Sequence, residues 1–245
     1  MNNIYIYQNN FISLLNLIKY LLKNKIKPFD IKDEFYNRSM LDNLIYLNIE
    51  DDNILEFIKY IGNINLKIIY YVYLSTTENK ELIIYYYILN TFKYHEKTIY
   101  MRNLNCVSKS LKIYNHVKRE SHRFKGFTRF RQINNKILYA EINPDNNIIE
   151  IVSNHFKERL KYEYWIIKDV NRNILSLYNK KDYVLVSGND IKLLELNNSK
   201  EEVEIQKLWQ EFYKTIGIKE RKNDRCRMNF MPKKYWKYIL EVKEE

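Results

Sequence analysis

Only four glycines and three prolines interrupt a chain of 245 residues. That scarcity of backbone breakers constrains the fold more than any motif does. Long uninterrupted segments are favoured, and helices should be common. A Gly-rich nucleotide cradle has almost no glycines to draw on, and neither a GxxxxGK phosphate loop nor a GxSxG elbow occurs. With 46% hydrophobic residues the chain can bury a sizeable core, as one large domain or two small ones.

Periodicity places the elements. "IYIY" near the start is β-branched and aromatic, a short strand. "FISLLNLIKYLLKN" repeats apolar residues at helical spacing, from Phe11 through Leu22. "LDNLIYLNI", "NILEFIKYIG" and "ENKELIIYYYILNTFKY" also read as helices. Ser75 and Glu78 form a capping box for the last, whose apolar run fits a buried strand as well. "VSKSLKIYNHVKRE" is a helix with one apolar and one basic face. After Ser121 the pattern alternates. "FKGFTRFRQINNKILYAEINP" reads as a β-hairpin turning near Asn134–Asn135. Pro144 ends it, and Asp145 is placed to cap the helix "NNIIEIVSNHFKERL". "YWIIKDVNRNILSLYNKKDYVLVSG" supplies three strands. A second capping box, Ser199 and Glu202, opens a helix whose apolar stripe is Ile205, Leu208, Trp209, Phe212 and Ile216. The expected class is α+β: a mainly helical region over 1–115, then an α+β domain over 116–245 with a mixed, mainly antiparallel sheet and helices.

The net charge is +11. Between Lys109 and Arg131 eight cations face one acid, Glu120. Between Lys214 and Lys237 nine cations face two acids. Each block is net +7, so the rest of the chain is net −3. An AT-rich genome spreads lysine evenly and would not gather arginine into two blocks. The blocks are either a solvated face or a surface for an anionic partner, with nucleic acid the leading class.

In the first block, "ESHRFKGFTRFR" read as an extended segment puts Phe127, Arg129 and Arg131 on one face, and Phe124, Gly126, Thr128 and Phe130 on the other. The plain interpretation is a strand with a core face and a solvated face. The functional one is a surface where Arg123, Lys125, Arg129 and Arg131 take phosphates and a phenylalanine stacks a base. Gly126 would mark a bulge or a close backbone approach. In the second block, "RMNFMPKKYW", Pro232 suits the start of a short helix. Tyr235 and Trp236 would dock, while Lys233 and Lys234 face an anion. His122 and His155 are candidates for proton transfer, with Asp169 to orient one of them.

Two cysteines 120 positions apart, Cys106 and Cys226, fit no metal-ligand spacing, so no metal site and no bound cofactor are expected. They are expected as reduced thiols. The N-terminus lacks signal-peptide features, and the apolar runs are too short to span a bilayer. The expectation is a cytoplasmic protein with no membrane partner.

"HRFKGFTRFR", "YAEINPDNNII", "HFKERL", "WIIKDVNR", "LWQEFYKTIGIKERKN" and "MPKKYW" occur in this order. Together they resemble a bacterial DNA-metabolism and DNA-repair protein family built on the domain of unknown function 4130. The resemblance covers nearly the whole chain. It implies a role in DNA repair, DNA rather than RNA as the nucleic acid, and a radical SAM protein encoded nearby as partner. In other bacteria the domain is fused to a uracil-DNA-glycosylase-like domain, a portion this chain lacks. The motif positions it marks are His122, Arg129, Arg131, His155, Arg159, Asp169, Arg172, Arg221, Pro232, Lys233, Tyr235 and Trp236. Three roles are compatible with this: a DNA-binding repair protein acting with the radical SAM partner, an enzyme acting on DNA or a nucleotide through His122, His155 and Asp169, or a scaffold for the partner alone.

Overall fold

The computed structural model describes residues 2–40, 42–47, 53–133, 137–189, 200–216 and 223–239. The chain divides into two compact units, 1–118 and 119–245, and is α+β.

The first unit is built on a three-stranded parallel sheet in the order β2-β1-β3, formed by β1 (Asn2–Tyr7), β2 (Asp30–Asp33) and β3 (Asp42–Tyr46). As the central strand, β1 is buried continuously from Ile4 to Tyr7, as expected of a parallel strand covered on both faces. Helix α1 (Phe11–Lys23) crosses over from β1 to β2. Its Asn10 N-cap accepts from the Ser13 N–H at 2.7 Å, and Leu14, Leu15, Leu17, Ile18 and Leu21 are buried on its inner face. Helices α2 (Ile54–Ile61), α3 (Asn63–Tyr73) and α4 (Lys80–Tyr94) and a 3-10 helix (His95–Tyr100) complete the unit. Their Ile68, Ile69, Val72, Ile84, Tyr87 and Ile88 share its core.

The second unit carries a five-stranded sheet, β4-β5-β6-β7-β8. Its strands are β4 (Arg131–Ile133), β5 (Ile137–Ile142), β6 (Tyr164–Asp169), β7 (Ile174–Tyr178) and β8 (Tyr183–Ser187). Only β5 and β6 run parallel, joined by helix α6 (Ile149–Arg159); the remaining pairs are antiparallel. The core is formed by Ile148, Val152 and Phe156 of the α6 segment with Tyr139, Trp165, Ile167 and Leu175 of the sheet. Trp165 stacks on Tyr178 with ring centroids 4.9 Å apart. Helices α7 (Lys200–Ile216) and α8 (Asp224–Phe230) and a 3-10 helix (Lys233–Tyr238) follow. Helix α5 (Asn105–Phe127) contributes residues to both units.

Several expectations are corrected. "LDNLIYLNI" is not helical where described: Asp42–Tyr46 pairs in parallel with β1, because docking beside the central strand satisfies more backbone than a short isolated helix could. The stretch "FKGF" is the last turn of α5 rather than a strand, so the alternating faces assigned to Phe124–Phe130 do not exist. That helix ends at Phe127, and the hydroxyl of the next residue, Thr128, donates to the Phe124 carbonyl at 2.6 Å. Gly126 allows no close approach either, since a Cβ there would meet nothing within 4 Å. Ser75 does not start α4; its hydroxyl donates back to the Val72 carbonyl at the end of α3, and α4 begins after Asn79. Asp145 does not cap α6, which starts after Ile148 without a side-chain cap. The Asn134–Asn135 turn and Ser199 lie outside the described residues, but Glu202 accepts from the Gln132 N–H of β4 at 3.0 Å. Of the α7 stripe, Ile205, Leu208, Trp209 and Phe212 are exposed.

Candidate functional site

The loop after β5, Asn143–Asn147, is held from three directions. Glu120, buried at 3% exposure on α5, accepts from the backbone N–H of Asp145 at 2.7 Å and of Asn146 at 3.0 Å, and from the Asn146 side-chain amide at 2.6 Å. Arg172, in the β6–β7 turn, donates to the Pro144 carbonyl at 3.2 Å and also to the Asp145 carbonyl. Its guanidinium pairs with Asp169 Oδ2 at 3.1 Å. The carboxylate of Asp145 pairs with Lys234. Tyr235 closes the arrangement: its hydroxyl lies 3.4 Å from Glu120 Oε1, and its ring meets Phe124 edge-on at 4.9 Å and Phe127 at 6.1 Å.

These contacts assign roles to several predicted residues. Asp169 is fully buried, and its bonds go to Arg172 and to the backbone N–H groups of Asn171 and Arg172 rather than to a histidine. Burial pushes its carboxyl above the ordinary range, against the pull of Arg172. Burial pushes the Tyr235 phenol up as well. For Lys234, burial works against the charged form, but hydrogen bonds to Asp145 and Tyr235 outweigh it and the ammonium is held more tightly than usual. Asp169, Arg172 and Lys234 therefore order the loop.

A second group lies on α5 and α6. His155 is half-buried against the Phe156 ring, 5.0 Å between centroids, and Phe156 in turn takes Phe130 edge-on at 4.9 Å. The imidazole loses proton affinity through burial first and then through the positive charges of Lys125 and Arg159; Glu158 acts weakly the other way. Lys125 from α5 and Arg159 from the end of α6 both lie near enough for their charge to disfavour the protonated imidazole, after burial itself. Neither cation is in a salt bridge among the described residues. Arg123 is half-buried beside them in sequence, and His122 is exposed on α5.

Other expected anion ligands are partly occupied. Arg129 donates to the Gly126 carbonyl at 2.6 Å. Arg131 lies over the Tyr139 ring at 5.1 Å. Arg221 lies outside the described residues. Lys233 is exposed, 5.7 Å from the centroid of Trp236, which also carries Arg227 at 4.4 Å. Trp236 is partly buried and its indole N–H donates to the Met231 carbonyl at 2.8 Å. Tyr235 is buried at 3% exposure. The phenylalanines of the first block are packed on Tyr235 or Phe156, so they are not free platforms for a base.

Sequence reasoning missed Glu120 as an organising residue. Its one signal was being the lone acid among eight cations. Among the described residues no group of three His, Cys, Asp or Glu side chains could hold a metal ion, and no helix is long and apolar enough to cross a membrane. Cys106 and Cys226 are both free thiols.

The sequence profile of a domain of unknown function, DUF4130, matches residues 78–241. No curated protein matches the chain.

Proposed function

The chain belongs to the DUF4130 family, whose domain spans 78–241, and from that premise we propose that it is a cytoplasmic DNA-metabolism protein that binds nucleic acid through the α5–α6 surface of its second unit. The observation that supports this is that half-buried His155 feels the positive charge of both Lys125 and Arg159. Two cations without salt-bridge partners among the described residues attract phosphate. Near them His155, kept neutral near pH 7 by burial first and then by their charge, hydrogen-bonds a phosphate oxygen or picks up a proton as the phosphate arrives. Arg123, Arg129, Arg131 and Lys233 extend the positive surface; Arg172 and Lys234 serve it indirectly by fixing the Asn143–Asn147 loop.

The same reading includes the partner implied by the family resemblance, a radical SAM protein that would supply the redox chemistry for which this chain has no cysteine set. The catalytic alternative narrows to His155, a neutral imidazole poised to accept a proton, with His122 exposed on α5 and Asp169 committed to Arg172. The scaffold alternative requires no DNA binding at all.

The experiment is fluorescence anisotropy with short single- and double-stranded DNA across a salt series. The proposal expects log affinity to fall with log salt by about 0.9 per neutralised phosphate on duplex. The double variant Lys125→Ala/Arg159→Ala should bind more weakly with a shallower slope. DNA binding that is absent at low salt would leave the scaffold reading, which co-purification with the radical SAM protein would then support.

A further inference from the structure

We propose that the first unit carries a separate binding cleft for an uncharged planar heterocycle, a nucleobase or nucleoside, at the carboxyl ends of its parallel strands. The cleft has a volume of about 690 Å³, within the range of small-molecule sites. It lies where topology favours a ligand. The chain leaves β1 through α1 to reach β2 on one side, while β3 flanks β1 on the other. The strand order therefore reverses at β1, with β2 on one side and β3 on the other, and such a switch point opens a crevice beyond the strand ends. Tyr7 and Gln8 at the end of β1, Tyr46 and Leu47 at the end of β3, and Ser13 and Asn16 on the first turns of α1 all line it.

Three features select the ligand. The first is Asn16. Its carboxamide Oδ1 is hidden from solvent and has no hydrogen-bond partner among the described residues. A buried acceptor left unpaired costs free energy, and because the Asn16 side chain lines the cleft, a turn of its carboxamide would bring this acceptor to a ligand N–H. A carboxamide pairs naturally with the adjacent donor and acceptor on a base edge. The second is the charge of the lining. Among the described residues it includes no lysine or arginine, and it includes the Glu34 carboxylate, which already accepts from the Asn9 N–H. The α1 N-terminus, which elsewhere could take an anion, is engaged internally: Asn10 caps the Ser13 N–H, and the Ser13 hydroxyl accepts from the Gln8 N–H. A phosphate is therefore disfavoured there. The third is the rim. Tyr46 and Ile12 both line the cleft and are 68% and 47% exposed, apolar surface on which a flat ring can rest.

This cleft lies wholly before residue 78, outside the family domain, and does not depend on the DNA reading of the second unit. The test uses the full chain and isothermal titration with the common nucleosides and their 5′-monophosphates. At least one nucleoside should bind, and in Lys125→Ala/Arg159→Ala, which removes the phosphate-attracting cations of the second unit, its monophosphate should bind no tighter. Asn16→Leu should keep or raise the melting temperature, because it removes an unpaired buried acceptor, yet weaken nucleoside binding about tenfold or more. Tyr46→Ala, at an exposed position, should also weaken it with the fold intact. Lys125→Ala/Arg159→Ala should leave nucleoside binding unchanged. The proposal is overturned if no nucleoside binds at millimolar concentration, if monophosphates bind Lys125→Ala/Arg159→Ala tenfold tighter than nucleosides do, or if Asn16→Leu and Tyr46→Ala bind as the wild type does.

Discussion

Glu120 Oε2 accepts two hydrogen bonds from one residue, Asn146: the backbone N–H at 3.0 Å and the side-chain amide at 2.6 Å. With the Asp145 N–H on its other oxygen, a single buried carboxylate satisfies three donors of a loop 25 residues away. Glu120→Ala would strand them. Each unsatisfied buried group costs ~1–3 kcal/mol, so a loss of about 3 kcal/mol or more is expected in urea denaturation, with Glu120→Gln milder. Wild-type stability for Glu120→Ala would refute the role of Glu120 in holding this loop.

Arg172→Ala should be as damaging, for a different reason. It removes the partner of a fully buried carboxylate, and breaking such a pair costs ~3–5 kcal/mol. Asp169 is already pushed up by burial, and without Arg172 it would rise further. A raised carboxyl binds its proton more tightly folded than unfolded, so acid favours the folded state. The deficit of the variant should be largest near pH 7. It should shrink as pH falls through the raised folded pKa toward the ordinary aspartate range. Denaturation midpoints compared at pH 7 and pH 5 check this, and an equal deficit at both would contradict it.

Gly126→Ala should stabilise the protein. The residue sits in the last turn of α5, does not have a positive φ, and a methyl group there meets nothing within 4 Å. Replacing glycine at a compatible helical position contributes ~0.4–1 kcal/mol through the unfolded chain. A thermal melt that moved down instead would mean Gly126 has a structural task that the packing does not reveal.

The "MPKKYW" segment should separate folding from binding. Tyr235, buried on Phe124 and Phe127, should cost ~3–5 kcal/mol as Tyr235→Ala. Lys234→Ala breaks a half-exposed ion pair worth ~0–1 kcal/mol. Lys233→Ala should leave stability near wild type while lowering DNA affinity. Unchanged DNA affinity in Lys233→Ala would remove this segment from the interface.

His155 supplies a pH signature for DNA binding. Its proton affinity is depressed by burial and by Lys125 and Arg159. A phosphate docking beside it would raise that affinity again, so binding takes up a proton and strengthens as pH falls from 8 to 6. Anisotropy titrations at the two pH values should show this in the wild type and lose it in His155→Gln. A pH dependence that survives His155→Gln would place the phosphate elsewhere.

Local chemistry was enough to read α1, where apolar spacing and an Asn cap agree, and α6, whose stripe of Ile148, Ile149, Val152 and Phe156 is buried as spaced. It was enough for β6, β7 and β8, set apart by turn residues such as Asn173 and Lys180 that take positive φ. It also marked the two basic blocks. It could not decide "FKGF", because Phe124 and Phe127 stand three apart as well as within an alternating run, and both periods fit so short a window. Tyr235, more than a hundred residues on, selected the helix by packing against both rings. Nor could it find β2 and β3, whose sequences of four and five residues become strands only beside β1. The same holds for the site. Cations and histidines can be counted along the chain. Only tertiary structure assigned Arg172 and Lys234 to a loop and brought the charge of Lys125 to His155, because charges act through distances that sequence separation does not set; Arg159 stands one helical turn from His155 on α6, a spacing the sequence already contains.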